Sequence, residues 1–209
     1  MARRIKEEPE VHRNRIAEAA QKLFNQNGID NTSVDSIAKE AGYSKATLYV
    51  YFKNKEEIVG YLVLNSMKFL KKYLTVKYED GMDFKLLFMT ICEGLANYQE
   101  KYPYYFSLIQ KPISIDFDNS NSPEEDRETY DLGEEVNDFI MEFLSRGIRA
   151  GVFKDNVDNV EMVFTIWGSL CGVIEIAANK EAYIINRMNI SKNEFLHRSF
   201  EVLYEMLRK

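Results

Sequence analysis

Apolar residues in the first part of the chain recur at helical spacing and are punctuated by glycine. Ile16, Ala19, Ala20, Leu23 and Phe24 fall at i, i+3, i+4, i+7 and i+8, the stripe of an amphipathic helix from Val11 to Asn27, and Gly28 stands where a helix stops. Val34, Ile37, Ala38 and Ala41 form a shorter stripe behind Thr32 and Ser33, whose hydroxyls suit an N-cap. Gly42 breaks this second helix, Ser44 can cap a third, and Leu48 and Phe52 are its inward anchors. Asn54 followed by Glu57 then opens a long helix reaching about Val76.

Beyond a turn at Tyr78–Met82, helical patterns cover Asp83–Lys101, Pro103–Lys111, Pro123–Ala150, Val157–Lys180 and Ser191–Arg208. The stretch PISIDFDNSNSPEED at 112–126 has no period and reads as a loop. In the last two long helices the apolar coverage is too wide for one core. Val163, Phe164, Trp167 and Leu170 mark one face of the first while Met162, Ile166, Val173 and Ile176 mark another; Leu196, Phe200, Leu203 and Met206 spread likewise over the second. Both helices are expected to meet a second copy around a two-fold axis. No alternating strand pattern stands out. The fold expected is all-α with about nine helices: a three-helix head over residues 9–56 and a helical body over 57–209.

Composition adds limits. Hydrophobic residues make up 45% and charged residues 29% of 209, the balance of a chain that packs a core in water. The longest apolar run, residues 163–178, is broken by Glu175 and is shorter than the roughly 20 residues of a membrane span, so no membrane helix is expected. The amino terminus lacks the apolar core of a secretory signal, and a cytoplasmic location follows as an expectation. Cys92 and Cys171 sit in apolar helical patterns, the setting of buried thiols rather than a disulfide framework. The net charge of −6 is unevenly spread: the first 55 residues carry +3 and the remainder −9. A basic head on an acidic body fits a protein that touches phosphate with one end.

Two helices joined by a tight glycine turn, the second led by Ser44, make a helix-turn-helix, which exposes the start of its second helix to base edges. Lys45, Ala46 and Thr47 are the readout candidates, since lysine donates to guanine and small methyls touch thymine. Tyr49 and Tyr51 lie where a phenol reaches a phosphate oxygen, although Tyr51 can equally pack on the first helix. Lys55, in the first turn of the next helix, can clamp a phosphate together with that helix's amides. Thr32 and Ser33 serve as caps first and phosphate donors second. Residues 32–58, TSVDSIAKEAGYSKATLYVYFKNKEEI, closely resemble the TetR (tetracycline-repressor) family in Ile37-Ala38, Ala41-Gly42, Ser44, Thr47-Leu48-Tyr49, Tyr51-Phe52 and Lys55-Glu56, as does the helix before them. The resemblance covers roughly residues 10–60. It implies a dimeric regulator whose paired heads bind a near-palindromic double-stranded operator, and it points to Thr47, Tyr49, Tyr51 and Lys55 as contacts.

The resemblance also implies a small-molecule effector enclosed by the body. Phe88, Met89, Tyr105, Phe106, Phe139 and Trp167 are candidate lining residues for an apolar or aromatic ligand; each can equally be ordinary core. Glu93 and Glu175 interrupt apolar helices and either counter a cationic effector, meet the second copy or face solvent. His12 and His197 are far apart without ligand-spaced neighbours, and no phosphate-binding glycine loop or nucleophile elbow is present, so neither catalysis, metal nor cofactor is expected. The reading is a ligand-released repressor; an activator or corepressor-dependent regulator, and a helical scaffold without DNA activity, are the alternatives.

Overall fold

A computed structural model describes residues 7–74, 81, 83–110, 124–155 and 158–209. Ten helices are present among them: α1 (Pro9–Asn27), α2 (Val34–Glu40), α3 (Lys45–Tyr51), α4 (Lys55–Leu74), α5 (Phe84–Lys101), α6 (Pro103–Leu108), α7 (Glu124–Arg149), α8 (Asn159–Asn179), α9 (Glu181–Met188) and α10 (Lys192–Leu207). The unexpected one is α9. Lys180 is both the C-cap of α8 and the N-cap of α9, so no glycine, proline or side-chain cap marks the break. Most of the expected turn at Tyr78–Met82 and of the loop at 112–126 lies outside the described residues; Glu124–Asp126 instead form the first turn of α7.

The chain divides into two compact units, residues 1–67 with 104–129 and residues 68–103 with 130–209; the three boundaries fall inside α4, α6 and α7. In the first unit α1, α2 and α3 pack on one another. Ile16, Ile37 and Leu48 are fully buried there, with Phe52 at 1% exposure, each burial stabilising by roughly 1.5–3 kcal/mol.

In the second unit α8 packs on α5 and α10, and α10 on α5. Asp83, Asp158 and Ser191 cap α5, α8 and α10 through their side chains. At Gly94 a Cβ would lie 2.6 Å from the Tyr73 carbonyl oxygen, so α5 approaches α4 more closely than a side chain allows. The chain after α7 folds back so that Phe153 and Arg208 form an antiparallel bridge, with Lys154 N–H donating to Leu207 O at 3.0 Å. Cys92 and Cys171 are buried free thiols.

Helix α8, at 21 residues, is long and apolar enough by composition to cross a membrane, contrary to the run-length expectation, because Glu161 and Glu175 are its sole charges. In the fold one side of it is core: Val163, Ile166, Leu170, Cys171, Ile174 and Ala177 are buried. Val160, Phe164 and Ile176 on its other side are exposed, as are Val202 and Met206 on α10.

Candidate nucleic-acid interface

The α2–α3 corner is built by backbone chemistry. Ser33 Oγ accepts from Ser36 N–H at 3.1 Å and starts α2. Its end is a Schellman turn: Tyr43 N–H donates to Ala38 O at 2.8 Å and Gly42 N–H to Lys39 O at 3.1 Å, with Gly42 at φ +75°, a conformation that favours glycine. Ser44 Oγ then accepts from Thr47 N–H at 3.0 Å and starts α3. The reversal is complete within a few residues, and Leu48 and Phe52 lock α3 onto α1 and α2.

With Leu48 inward, the opposite edge of α3 presents Lys45, Ala46, Tyr49 and Val50, all exposed. Val50, 75% exposed, is the apolar residue that sequence reasoning passed over. The signal was available: it lies one helical turn after Ala46, on the same face. Thr47 is half-buried, and its hydroxyl sits 2.8 Å from Ser44 Oγ. Lys45 Nζ donates to Asp35 Oδ2 at 2.8 Å, and that hydrogen bond and charge raise the lysine above its ordinary value. Nucleic acid therefore competes with Asp35 for this ammonium.

Three expected contacts are redirected. Thr32 is 3% exposed and donates its hydroxyl to Gly28 O at 2.8 Å, closing the α1–α2 loop rather than facing outward. Lys55 turns its ammonium inward, donating to Ile29 O at 2.7 Å and Thr32 O at 3.2 Å. One α4 amide is engaged as well: Asn54 Oδ1 accepts from Glu57 N–H at 2.8 Å, and the Glu57 carboxylate reaches back to accept from Lys53 N–H, just before the helix, at 2.5 Å. Tyr51 takes its packing alternative and stacks on His12 with ring centroids 4.9 Å apart. His12 Nδ1 is 2.7 Å from Tyr43 Oη, which also accepts from Arg15 at 2.7 Å. Arg15, in the exposed part of this chain of contacts, is a cation that the sequence reading left out.

The second unit holds a separate candidate. A cavity of about 30 Å³ is walled by Phe88, Ile91 and Leu95 of α5, Phe139, Ile140 and Phe143 of α7, Ile166, Trp167 and Leu170 of α8, and Leu74. Phe88, Phe139 and Trp167 thus share one wall. Other candidates lie elsewhere. Met89 is buried in the core outside this wall, and Tyr105 and Phe106 are buried in the first unit because α6 packs there. Glu93 is exposed, on the rim of a groove of about 360 Å³ between α5 and α10 that also includes Glu100 and His197. Glu175 is half-buried and does not line the apolar cavity. Cys171, on the same helix as Trp167, has its thiol pushed up to about 12 by burial, with Glu175 adding to the effect, so it stays protonated. Among the described residues no group of three or more His, Cys, Asp or Glu could hold a metal.

A family model described as "Bacterial regulatory proteins, tetR family" matches residues 16–62, the segment holding the α2–α3 corner and its supporting helices. An HTH-type transcriptional regulator of Staphylococcus aureus is 34% identical over 77 residues, 36% of this chain and 42% of that protein. The chain spans less than half the length of the curated relatives it matches. Over the whole fold it is similar to the TetR family transcriptional regulator PfmR from Thermus thermophilus, with a TM-score of 0.65, 28% identity and coverage of 91% of this chain and 97% of that one. It has the fold of the fatty acid degradation regulator FadR from Bacillus halodurans, with a TM-score of 0.69, 18% identity, and coverage of 96% and 97%. Residues 16–62 thus match the helix-turn-helix segment of the tetR family of bacterial regulatory proteins, and the whole chain has an all-helical architecture similar to that of a solved TetR family regulator.

Proposed function

We propose that this protein is a sequence-specific DNA-binding repressor released by an apolar effector. One observation carries the reading: α3 buries Leu48 and Phe52 completely while its opposite edge presents Lys45, Ala46, Tyr49 and Val50 to solvent. A short, rigidly seated helix with an exposed edge of one cation, small methyls and a phenol suits the major groove, where lysine reads guanine and Ala46 and Val50 meet thymine methyls. Tyr49, Ser33, Ser44 and Arg15 position the helix on phosphates. By function, residues 9–56 are assigned to reading and 57–209 to sensing and dimerising, although 57–67 and 104–129 fold with the first compact unit.

The exposed apolar side chains Val160, Phe164 and Ile176 of α8 and Val202 and Met206 of α10 are assigned to contact with a second copy, giving two heads for a near-palindromic site. Gly168 and Gly172, with nothing within 4 Å of a Cβ at either, leave room on α8 for another helix to approach. The effector is assigned to the cavity around Trp167. Its wall is carbon throughout, so a charged or strongly hydrogen-bonding ligand loses solvation there without compensation, roughly 2–7 kcal/mol per unmatched polar group. Occupation widens the cavity, and the population shifts toward a state that fits the operator less well.

The test is a fluorescence-anisotropy titration against DNA upstream of the protein's own gene and against random duplex, at several salt concentrations. The expected result is a preference on the order of a thousandfold or more for one fragment, with affinity falling as salt rises. Equal affinity for all fragments refutes the reading. The effector arm uses the emission of Trp167, the chain's one tryptophan. A screen of uncharged alkyl and aryl compounds is expected to give hits that shift this emission and release DNA; release by charged compounds alone overturns the assignment to this cavity.

A further inference from the structure

The end of α3 is tied to α7 through one arginine. Arg13 of α1 lies with its guanidinium carbon 4.7 Å from the ring centre of Phe52, the C-cap of α3, and 4.5 Å from that of Tyr61 on α4. From this aromatic slot it donates to Glu125 Oε1, in the first turn of α7, at 2.6 Å. The two side chains are 25% and 18% exposed, so the pair is substantially withdrawn from solvent. Tyr61 Oη donates to Asn14 Oδ1 at 2.8 Å, pinning the slot to the neighbouring residue of α1. Thr129, 3% exposed, anchors the same turn of α7 by donating to Glu125 O at 2.7 Å.

The surroundings give this pair its importance. A cleft of about 500 Å³ is lined by Glu56, Glu57 and Gly60 from the start of α4, by Glu124, Glu125 and Asp126 from the start of α7, and by Lys53 and Asn54. Five carboxylates against one lysine is a neighbourhood that repels itself, and Arg13 supplies an attraction that opposes it. Arg13 Nε is buried without a hydrogen-bond partner among the described residues, so the guanidinium is held by its rings and its one carboxylate rather than by a saturated network.

We infer that Arg13 and Glu125 are positioning residues that make the seating of the recognition helix depend on the first turn of α7, through the contact of Arg13 with Phe52. This rests on the proposed DNA reading for its consequence but not for its existence. Displacing the first turn of α7 removes the carboxylate that holds the guanidinium and loosens the aromatic slot against which α3 ends. A loosened α3 must be ordered again on DNA, which weakens binding.

The experiment is a double-mutant cycle of Arg13→Gln, Glu125→Gln and the two together, read by operator titration and by amide hydrogen exchange of DNA-free protein. Coupling predicts that each single variant weakens operator binding on the order of tenfold and that the double variant is no weaker than either. A simple field effect predicts opposite signs, Arg13→Gln weakening and Glu125→Gln tightening, with additivity; that pattern overturns the inference. Amides of 45–52 and of 124–129 are expected to exchange faster in both single variants. Unaltered exchange at 45–52 in Glu125→Gln overturns the inference even where the chain binds no operator, which separates its failure from that of the DNA reading. Should either glutamine variant fail to fold, the reversed pair Arg13→Glu with Glu125→Arg is compared with Arg13→Glu alone: restored exchange protection at 45–52 supports the coupling, and no restoration refutes it.

Discussion

Replacing Lys55 by alanine separates two roles that the same residue could have. In the structure its ammonium donates to Ile29 O at 2.7 Å and Thr32 O at 3.2 Å, tying the start of α4 to the α1–α2 loop. Removing it strands two carbonyls that faced a cation. Hydrogen bonds to charged groups contribute about 1.5–3 kcal/mol, and the side chain is only half-buried, so a loss of about 1–3 kcal/mol for the pair is expected. For a chain of this size that is a fall in melting temperature of roughly 2–12 °C. As a phosphate anchor the same residue would behave differently. Stability would hardly change, while the log–log dependence of operator affinity on salt would shrink by about 0.9, one released counterion fewer. The measurements are thermal unfolding and anisotropy titrations between roughly 50 and 200 mM salt. An unchanged slope with lowered stability is expected; a slope reduced by about 0.9 with unchanged stability refutes the inward assignment. Lys55→Arg keeps the charge but not the compact fit to two carbonyls, and it should fall between wild type and alanine in stability.

Other parts of the molecule make separate predictions. Val50→Ala removes two methyl equivalents from an exposed position, so melting should be unaltered while operator affinity drops about fivefold, near 1 kcal/mol, with the salt slope kept; unaltered affinity removes Val50 from the readout edge. At Gly94 a Cβ would meet the Tyr73 carbonyl at 2.6 Å, and Gly94→Ala should therefore lower stability by about 1–3 kcal/mol in urea unfolding despite alanine's better helix propensity. Phe164→Glu places a charge on the exposed face of α8 and should convert a dimer to monomer in sedimentation velocity; a persisting dimer would move the interface elsewhere. Burial pushes the Glu125 carboxyl up, but the Arg13 hydrogen bond and charge, with the backbone of its own turn, outweigh it and hold the group below its ordinary value near 4.5. A depressed carboxylate stabilises the fold above that ordinary value and loses its contribution as pH falls through the lower folded value. Wild type should therefore lose stability below about pH 4.5 more steeply than Glu125→Gln, while parallel curves would show that the pair contributes nothing.

How much of this was legible in the sequence depends on whether the cue was local. The corner at Gly42 and the caps at Ser33, Ser44, Asn54 and Ser191 are set by residues within a turn of their partners, and periodicity with capping rules located the helices they begin. Helix α9 escaped because its start coincides with the end of α8 and carries no cap residue of its own. The candidate site was readable only where the helical period decides which side faces out: burying Leu48 and Phe52 exposes Lys45, Ala46 and Tyr49, and the same logic extended by one turn gives Val50. It did not foresee the partners of Thr32 and Lys55, which are carbonyls contributed by a loop, and an atom present in every residue leaves no mark in the pattern. It failed for the effector lining for a related reason. Periodicity cannot say which core an aromatic residue joins, so Phe88 and Trp167 reach the cavity while Tyr105 and Phe106 are buried in the other unit. Arg13 is the clearest case, since its ring and carboxylate partners are 39, 48 and 112 residues away and no spacing rule connects them. Long-range polar contacts of this kind are where single substitutions should have effects that neither helix propensity nor motif matching anticipates, and Arg13→Gln tests that most directly.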